Sequence, residues 1–322
     1  MKRTLVTGAH GFVASHLART LLGRGDSVTT IDSSHRRLSG LVLQGIEGDV
    51  EVVQGDLVDS TMMRAVIESG EYDSVFHLAA RTIVGPAMAD PAGAFDANVR
   101  GTWTLLEACR AAEVPAVIVA SSDKAYGASD RLPYREDDPL VPGSPYEASK
   151  AAADVIARSY WSSFRLPVAV TRFANIYGGG DLNFSRLIPE AVCAVIDGRR
   201  PVIRSDGTPE RDFLYIDDAV SAYLAIEHAV GVGGPAAGEA FNAGGGEPWS
   251  VRSVLELIAD VSGTGIQPDI RGSGNPAGEI DRQFVDATKI RDRCGWSPSV
   301  SLEDGIARTI DWYRSHPDAR PS

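Results

Sequence analysis

The sequence predicts an α/β protein: a doubly wound parallel sheet, followed by a smaller substrate-binding domain. Three observations carry this expectation. Short β-rich runs alternate with helical stretches through the first half, the order a parallel sheet produces. The apolar runs VFHLAA (75–80) and AVIVA (116–120) lack period-two alternation, as strands buried on both faces do. The first strand runs directly into a glycine-bearing turn, Thr7-Gly8-Ala9-His10-Gly11-Phe12-Val13-Ala14, that opens a helix.

Taken in order, the strands are expected at 3–7, 28–31, 51–54, 73–77, 116–121 and 168–172. A helix over 11–22 follows the first, and long helices are expected over 94–112 and 146–164. After Tyr177 the rhythm changes. Gly178-Gly179-Gly180 interrupts it, and 231–238 and 272–278 read as loops. Helices are expected over 217–230, 251–261 and 302–313. The chain therefore divides into a nucleotide-binding domain, 1–177, and a substrate domain, 178–322. Some segments, about 213–245, are expected to return to the first domain.

Composition excludes several classes. The 322 residues suggest two structural units, and 43% hydrophobic with 23% charged residues is ordinary for a globular chain. With 31 Lys plus Arg against 43 Asp plus Glu the net charge is −12, which disfavours nucleic acid as a partner. No apolar run approaches the roughly 18 residues a membrane span needs. The N-terminus breaks into Gly and His too early for a signal peptide. Cys109, Cys193 and Cys294 fit neither a disulfide framework nor a metal site. Reduced thiols in a cytoplasmic protein are expected.

The turn after the first strand has the requirements of a pyrophosphate site. Gly8 and Gly11 suit a tight turn and close backbone approach, and Ala14 lets helix and strand pack. The second strand ends at Asp32, whose carboxylate suits both ribose hydroxyls of NAD and repels the 2′-phosphate of NADP. His35-Arg36-Arg37 just downstream is the feature that would instead hold such a phosphate. Asp56 reads either as a contact to the adenine edge or as a turn or capping residue.

A second constellation points to alcohol oxidation. Ser121-Ser122-Asp123-Lys124 ends the fifth strand, and Tyr146 and Lys150 share a helix face at i and i+4. A tyrosine is a weak base near neutral pH. A lysine cation one turn away and a nicotinamide charge would lower its pKa. Ser122 would orient the substrate hydroxyl while Tyr146 takes its proton.

The motifs TGAHGF, HLAA (77–80), NVRGT (98–102), SSDKAYG (121–127), SPYEASK (144–150), RFANIYG (172–178) and RDFLYIDD (211–218) occur in this order. As a set they resemble extended short-chain dehydrogenase/reductases that act on nucleotide sugars, over almost the full length. The resemblance implies a Rossmann-type domain with bound NAD and a C-terminal domain for a nucleoside diphosphate sugar. It implies cofactor contacts from Gly8, Gly11, Phe12, Val13, Asp32, Asp56, Leu57, Leu78, Ala79, Ala80, Asn98, Tyr146 and Lys150. For the substrate it implies Arg81, Asn175, Arg186, Leu187, Arg204, Arg211 and Arg282, with Arg211 just before a strand at 212–216. It also implies a homodimer, built by pairing the two long helices across a two-fold axis. Ala14 stands where the family has its third glycine. Pro276-Ala277 stands where the family usually has an arginine, so the nucleotide base stays open.

Asp123-Lys124 marks the subgroup. The pair resembles that of CDP-glucose 4,6-dehydratases, and also that of inverting dehydratases of UDP-N-acetylglucosamine. The segment 178–190 looks more like the CDP-glucose type. Such chemistry needs a base for the carbon 5 proton and an acid for the carbon 6 hydroxyl. Lys124 and Asp123 are candidates, in either order, and a plain loop ion pair is the competing reading. A 4-epimerase, a nucleotide-uronate decarboxylase and a non-catalytic NAD(P)-sensing regulator are the other functions weighed. The last is disfavoured because Ser122, Tyr146 and Lys150 are all present.

Overall fold

The computed structural model of the chain describes residues 1–33, 38–231, 233–274 and 280–321. Its strands are β1 (Arg3–Thr7), β2 (Ser27–Asp32), β3 (Val50–Gln54), β4 (Ser74–His77), β5 (Val117–Ala120), β6 (Val168–Phe173), β7 (Asn175–Tyr177), β8 (Val202–Ile203), β9 (Glu210–Tyr215), β10 (Ala240–Ala243), β11 (Pro248–Ser250), β12 (Asp269–Ile270) and β13 (Arg282–Gln283). Seven of them form one parallel sheet in the order β10-β6-β5-β4-β1-β2-β3. The strand order reverses between β1 and β4, which opens a crevice at their carboxyl ends.

Both faces of this sheet are covered, which is why its strands show no polar alternation. Val117 and Val119 of β5 pack with Leu105, Leu106 and Ala157 on one side. Ile118 faces the other side, with Leu17, Ala219 and Ile226. The second of these cores continues without a break into the C-terminal region, where Ile188, Val192, Leu255, Ile258 and Ile310 belong to the same buried cluster. There β11, β9 and β13 form a small sheet with β7 on β9, and β8 pairs with β12.

Three sequence expectations need correction. The helix over 94–112 is not uniform: Pro91–Phe95 and Gly101–Ala111 are α-helical, but Asp96–Arg100 is a π-helical turn. The turn contains Asn98, which is drawn inward by the Arg81 backbone and the Ser149 hydroxyl. Arg211 lies inside β9 rather than before it, because pairing with β11 and β13 extends the strand to Glu210. The sheet also has a seventh strand, β10, whose AFNA sequence carries little strand signal and is placed by pairing with β6.

Candidate active site

At the crevice, Gly8 adopts φ +76, and a Cβ there would stand 2.8 Å from Ala79 Cα. Only glycine satisfies both conditions. Gly11 N donates to Gly8 O at 2.8 Å, and Gly11 is the N-cap of the helix Phe12–Gly23. The turn therefore aims a helix N-terminus at the crevice, the arrangement that suits an anion. Phe12 and Val13 open that helix, and Ala14 is buried against the sheet. Ala79 N donates to Thr7 Oγ1 at 3.1 Å, which fixes the Leu78-Ala79-Ala80 loop beside the turn.

Asp32 ends β2, with its Oδ2 3.3 Å from His10 Nδ1. His35, Arg36 and Arg37 lie outside the described residues. Asp56 accepts from Val58 N at 3.2 Å, so it makes the turn contact that was one of its two readings. The cap of the next helix is Asp59. Leu57 packs beside Gly101.

The helix Pro145–Phe164 starts where its sequence says it should. Ser144 and Glu147 form a reciprocal capping box, and Pro145 occupies the first turn. Tyr146 and Lys150 thus project from the first two turns. Lys150 Nζ donates to Ala120 O at 2.8 Å, and Ser121 Oγ donates to Lys150 O at 3.1 Å. These bonds lock the helix to the end of β5. Arg172 of β6 adds a buried clamp: it bonds both Asp154 oxygens, at 2.7 and 3.0 Å, and the Tyr126 hydroxyl at 2.9 Å.

Burial sets the site's protonation. It pushes the Tyr146 phenol up to about 12, although Arg186 and the Ser122 hydrogen bond pull it down. The sequence led us to expect a lowered value, so the protein alone does not prepare this tyrosine as a base. Burial lowers Lys150 to about 8, which still leaves it mostly charged at neutral pH. His77, also buried and near Lys150, is lowered to about 3 and is neutral. It bridges Thr7 and Thr102 at 2.9 Å each and holds β4 to its neighbours.

Beside these groups lies a cavity of about 890 Å³, ample for a drug-sized ligand. Val13, Leu78, Ser122, Tyr146 and Lys150 line it, together with Asp123 and Lys124. Asn175, Arg186, Leu187, Arg204 and Arg211, from later segments, line it as well. Arg186 also bonds Asp181 at 2.8 Å, and Asn175 bonds the Asp212 carbonyl at 3.1 Å. Two proposed substrate residues stand elsewhere. Arg81 pairs with Asp90 at 2.6 Å on an exposed surface, and Arg282 pairs with Glu210 at 2.7 Å; neither lines the cavity. Pro276 to Glu279 lie outside the described residues.

Asp123 and Lys124 form no ion pair with each other among the described residues. Asp123 is 2% exposed, takes the Ser122 hydroxyl on Oδ1 at 3.0 Å, and leaves Oδ2 buried with no partner among the described residues. Burial raises its pKa, which favours the neutral acid. Lys124 Nζ instead donates to Gln283 Oε1 at 3.2 Å. A second carboxyl, Asp212, lies close enough to be influenced by Asp123 and is raised to about 7, mainly by burial.

Sequence reasoning did not single out Arg271, Asp212 or Gln283. Arg271 lines the cavity from beside β12. The RDFLYIDD motif contains Asp212, but nothing local shows that its side chain turns inward. Gln283 carries no motif signal.

The sequence pattern of the GDP-mannose 4,6 dehydratase family matches residues 5–309. The chain is 35% identical to a dTDP-glucose 4,6-dehydratase of Streptomyces griseus, covering 97% of this chain and 94% of that one. It is also 35% identical to a UDP-glucose 4-epimerase of Mycolicibacterium smegmatis, covering 97% and 99%. The crystal structure of a dTDP-glucose 4,6-dehydratase from Bacillus anthracis in complex with NAD superposes with a TM-score of 0.86 at 27% identity, over 99% of both chains. The chain belongs to the GDP-mannose 4,6 dehydratase family of nucleotide-sugar dehydratases and epimerases.

Proposed function

We propose that the chain is an NAD-dependent 4,6-dehydratase of a nucleoside diphosphate hexose, with CDP-glucose the favoured substrate. One observation carries the reading. Asp123 and Lys124 face the same cavity as Ser122 and Tyr146, yet they are not spent on each other. An acid with a free buried oxygen and an amine on a neutral partner supply the two proton transfers that dehydration needs and epimerisation does not.

Gly8, Gly11 and the N-terminus of the helix Phe12–Gly23 would hold the pyrophosphate of NAD, and Asp32 its ribose hydroxyls. When bound, NAD supplies a hydride acceptor at carbon 4 and a hydride donor at carbon 6. Ser122 positions the carbon 4 hydroxyl, and Tyr146 takes its proton. Lys150 holds a positive charge near that phenolate, which favours it. Lys124 takes the carbon 5 proton, which the new ketone acidifies. Asp123 gives its proton to the carbon 6 hydroxyl, which leaves as water. Lys124 returns its proton to carbon 5 as carbon 6 would receive the hydride, and the proton held by Tyr146 replaces the one given up by Asp123, so the sum is loss of one water with the cofactor regenerated. Arg186, Arg204 and Arg211 gather positive charge for the diphosphate in an otherwise acidic protein.

The residue ranges 1–177 and 178–322 serve as cofactor and sugar domains in this reading, with 213–245 packed back on the first. The exposed Phe95, Trp103 and Val155 lie on the helical segments proposed to pair in a homodimer. Sedimentation at micromolar concentration tests that assembly, and a monomer refutes it.

A 4-epimerase reading has its own support in the Mycolicibacterium smegmatis relative, whose identity equals that of the Streptomyces griseus dehydratase. The deciding experiment is incubation with CDP-, dTDP-, UDP- and GDP-glucose carrying deuterium at carbon 4. A dehydratase gives a 4-keto product lighter by water, with the label at carbon 6. Retention of the carbon 6 hydroxyl with inversion at carbon 4 identifies an epimerase.

A further inference from the structure

We propose that Gln283 is a positioning residue for the elimination step, holding the Lys124 amine toward the sugar on a neutral acceptor. The inference rests on the dehydratase reading above and deepens it. Gln283 is fully buried and does not line the cavity; it stands behind Lys124 and reaches it through Oε1 at 3.2 Å. Its place is rigid. It lies in β13, in register with Arg211 of β9, and the next residue is tied to Tyr134 N by a backbone bond of 3.0 Å. One strand pair thus carries both a cavity-lining arginine and the support of the lysine.

The chemistry of the partner matters as much as its position. A carboxylate at this distance would favour the ammonium form and hold back the free amine that a base requires. An amide oxygen accepts from the amine without adding a charge. The cost is visible: Gln283 Nε2 is buried with no partner among the described residues. A side chain chosen for packing alone would avoid that cost, since an apolar group of the same shape leaves nothing unsatisfied.

The charged and titratable surroundings come from several elements. Asp123 precedes Lys124 on its own turn, and Arg211 and Asp212 face that turn from β9. Tyr134 approaches from the loop that bridges to Val285, and Tyr146 from the catalytic helix, where Arg186 also acts on it. A change at position 283 replaces none of these groups, and Gln283→Leu adds no charge beside them.

The test uses the full-length enzyme with NAD and its nucleotide-sugar substrate. Gln283→Leu keeps the shape and removes the acceptor. Hydride transfer from carbon 4 should persist, seen as near-ultraviolet absorbance of reduced cofactor. Dehydrated product should form about 100-fold more slowly, as expected when a reacting group is misplaced by about an ångström, and KM should change little. Gln283→Glu restores the acceptor and adds a charge. It should recover product formation over the leucine variant, with a pH profile moved to higher pH. Melting curves verify that both variants fold.

Wild-type elimination in Gln283→Leu overturns the proposal. So does equal loss of hydride transfer and elimination in a folded variant, which would mean a structural role only. A Gln283→Glu profile moved to lower pH also overturns it. Lys124→Ala separates the levels. If Lys124→Ala dehydrates normally, the underlying assignment of Lys124 fails. If it blocks elimination while Gln283→Leu does not, only the role of Gln283 fails.

Discussion

Two groups of side chains at the cavity are built in opposite ways. In the group proposed to serve the cofactor, Tyr146 and Lys150 stand one turn apart on a capped helix, and that helix is bonded to the end of β5. In the group proposed to serve the sugar nucleotide, Arg186, Arg204, Arg211, Arg271 and the supporting Gln283 come from segments far apart in the chain. The first group sits on the parallel sheet, with Lys150 5% exposed. The second rests on short strands and loops, and the Arg271 side chain is 66% exposed. Precise proton transfer needs groups locked by packing. Recognition of a diphosphate needs only convergent positive charge, which flexible arginines at a rim supply.

Loss of the proposed proton acceptor, Tyr146, should have the largest effect. Tyr146→Phe should lower the rate of cofactor reduction by about 10²–10⁴-fold, the usual contribution of a general base. Stopped-flow absorbance measures it. Substrate binding, proposed to rest on the arginine group, should change little, and a parallel loss of binding would break the comparison.

A smaller effect is expected at the rim of the cofactor crevice. Asp32→Ala removes a charged acceptor for the ribose, worth about 1.5–3 kcal/mol. NAD affinity should fall by about 10- to 100-fold in titration calorimetry, and the preference over NADP should narrow. Tighter binding of NADP than NAD by the wild type would contradict the assigned role of Asp32.

The smallest effect concerns stability, and it sharpens the claim that the Tyr146–Lys150 group is buried at a cost. Burial lowers Lys150 from 10.5 to about 8. Between those values the unfolded chain binds more protons than the native one, so stability rises with pH across that window. Below about pH 8 the folded protein bears the full cost of the buried charge. Lys150→Met lacks this dependence. Urea unfolding at pH 7.5 and pH 10 should show the wild type gaining on the variant by no more than about 3 kcal/mol. Equal slopes would mean that the buried charge costs nothing.

What could be read from the chain follows the same division. The Gly8–Ala14 turn, the Tyr146–Lys150 spacing and the Ser144–Glu147 cap are local patterns, and local patterns dictate local geometry. Asp123 and Lys124 were legible as a pair but not as separate agents, since their partners Ser122 and Gln283 differ in kind and in distance along the chain. Arg282 and Arg81 carried family signals, yet their side chains pair with Glu210 and Asp90. An arginine takes the nearest carboxylate the fold offers, and sequence does not say which that is.

By itself, then, the sequence determined the doubly wound sheet, the Gly8–Ala14 turn and the capped helix that carries Tyr146 and Lys150, because hydrophobic periodicity, glycine conformation and capping act over a few residues. Only the tertiary structure decided the π-helical turn at Asn98, the inclusion of Arg211 in β9, the seventh strand β10 and the Gln283 contact to Lys124. Each of these depends on pairing or burial between segments distant in the chain. The free energy of such contacts is set by what the fold brings alongside, and no local pattern encodes it.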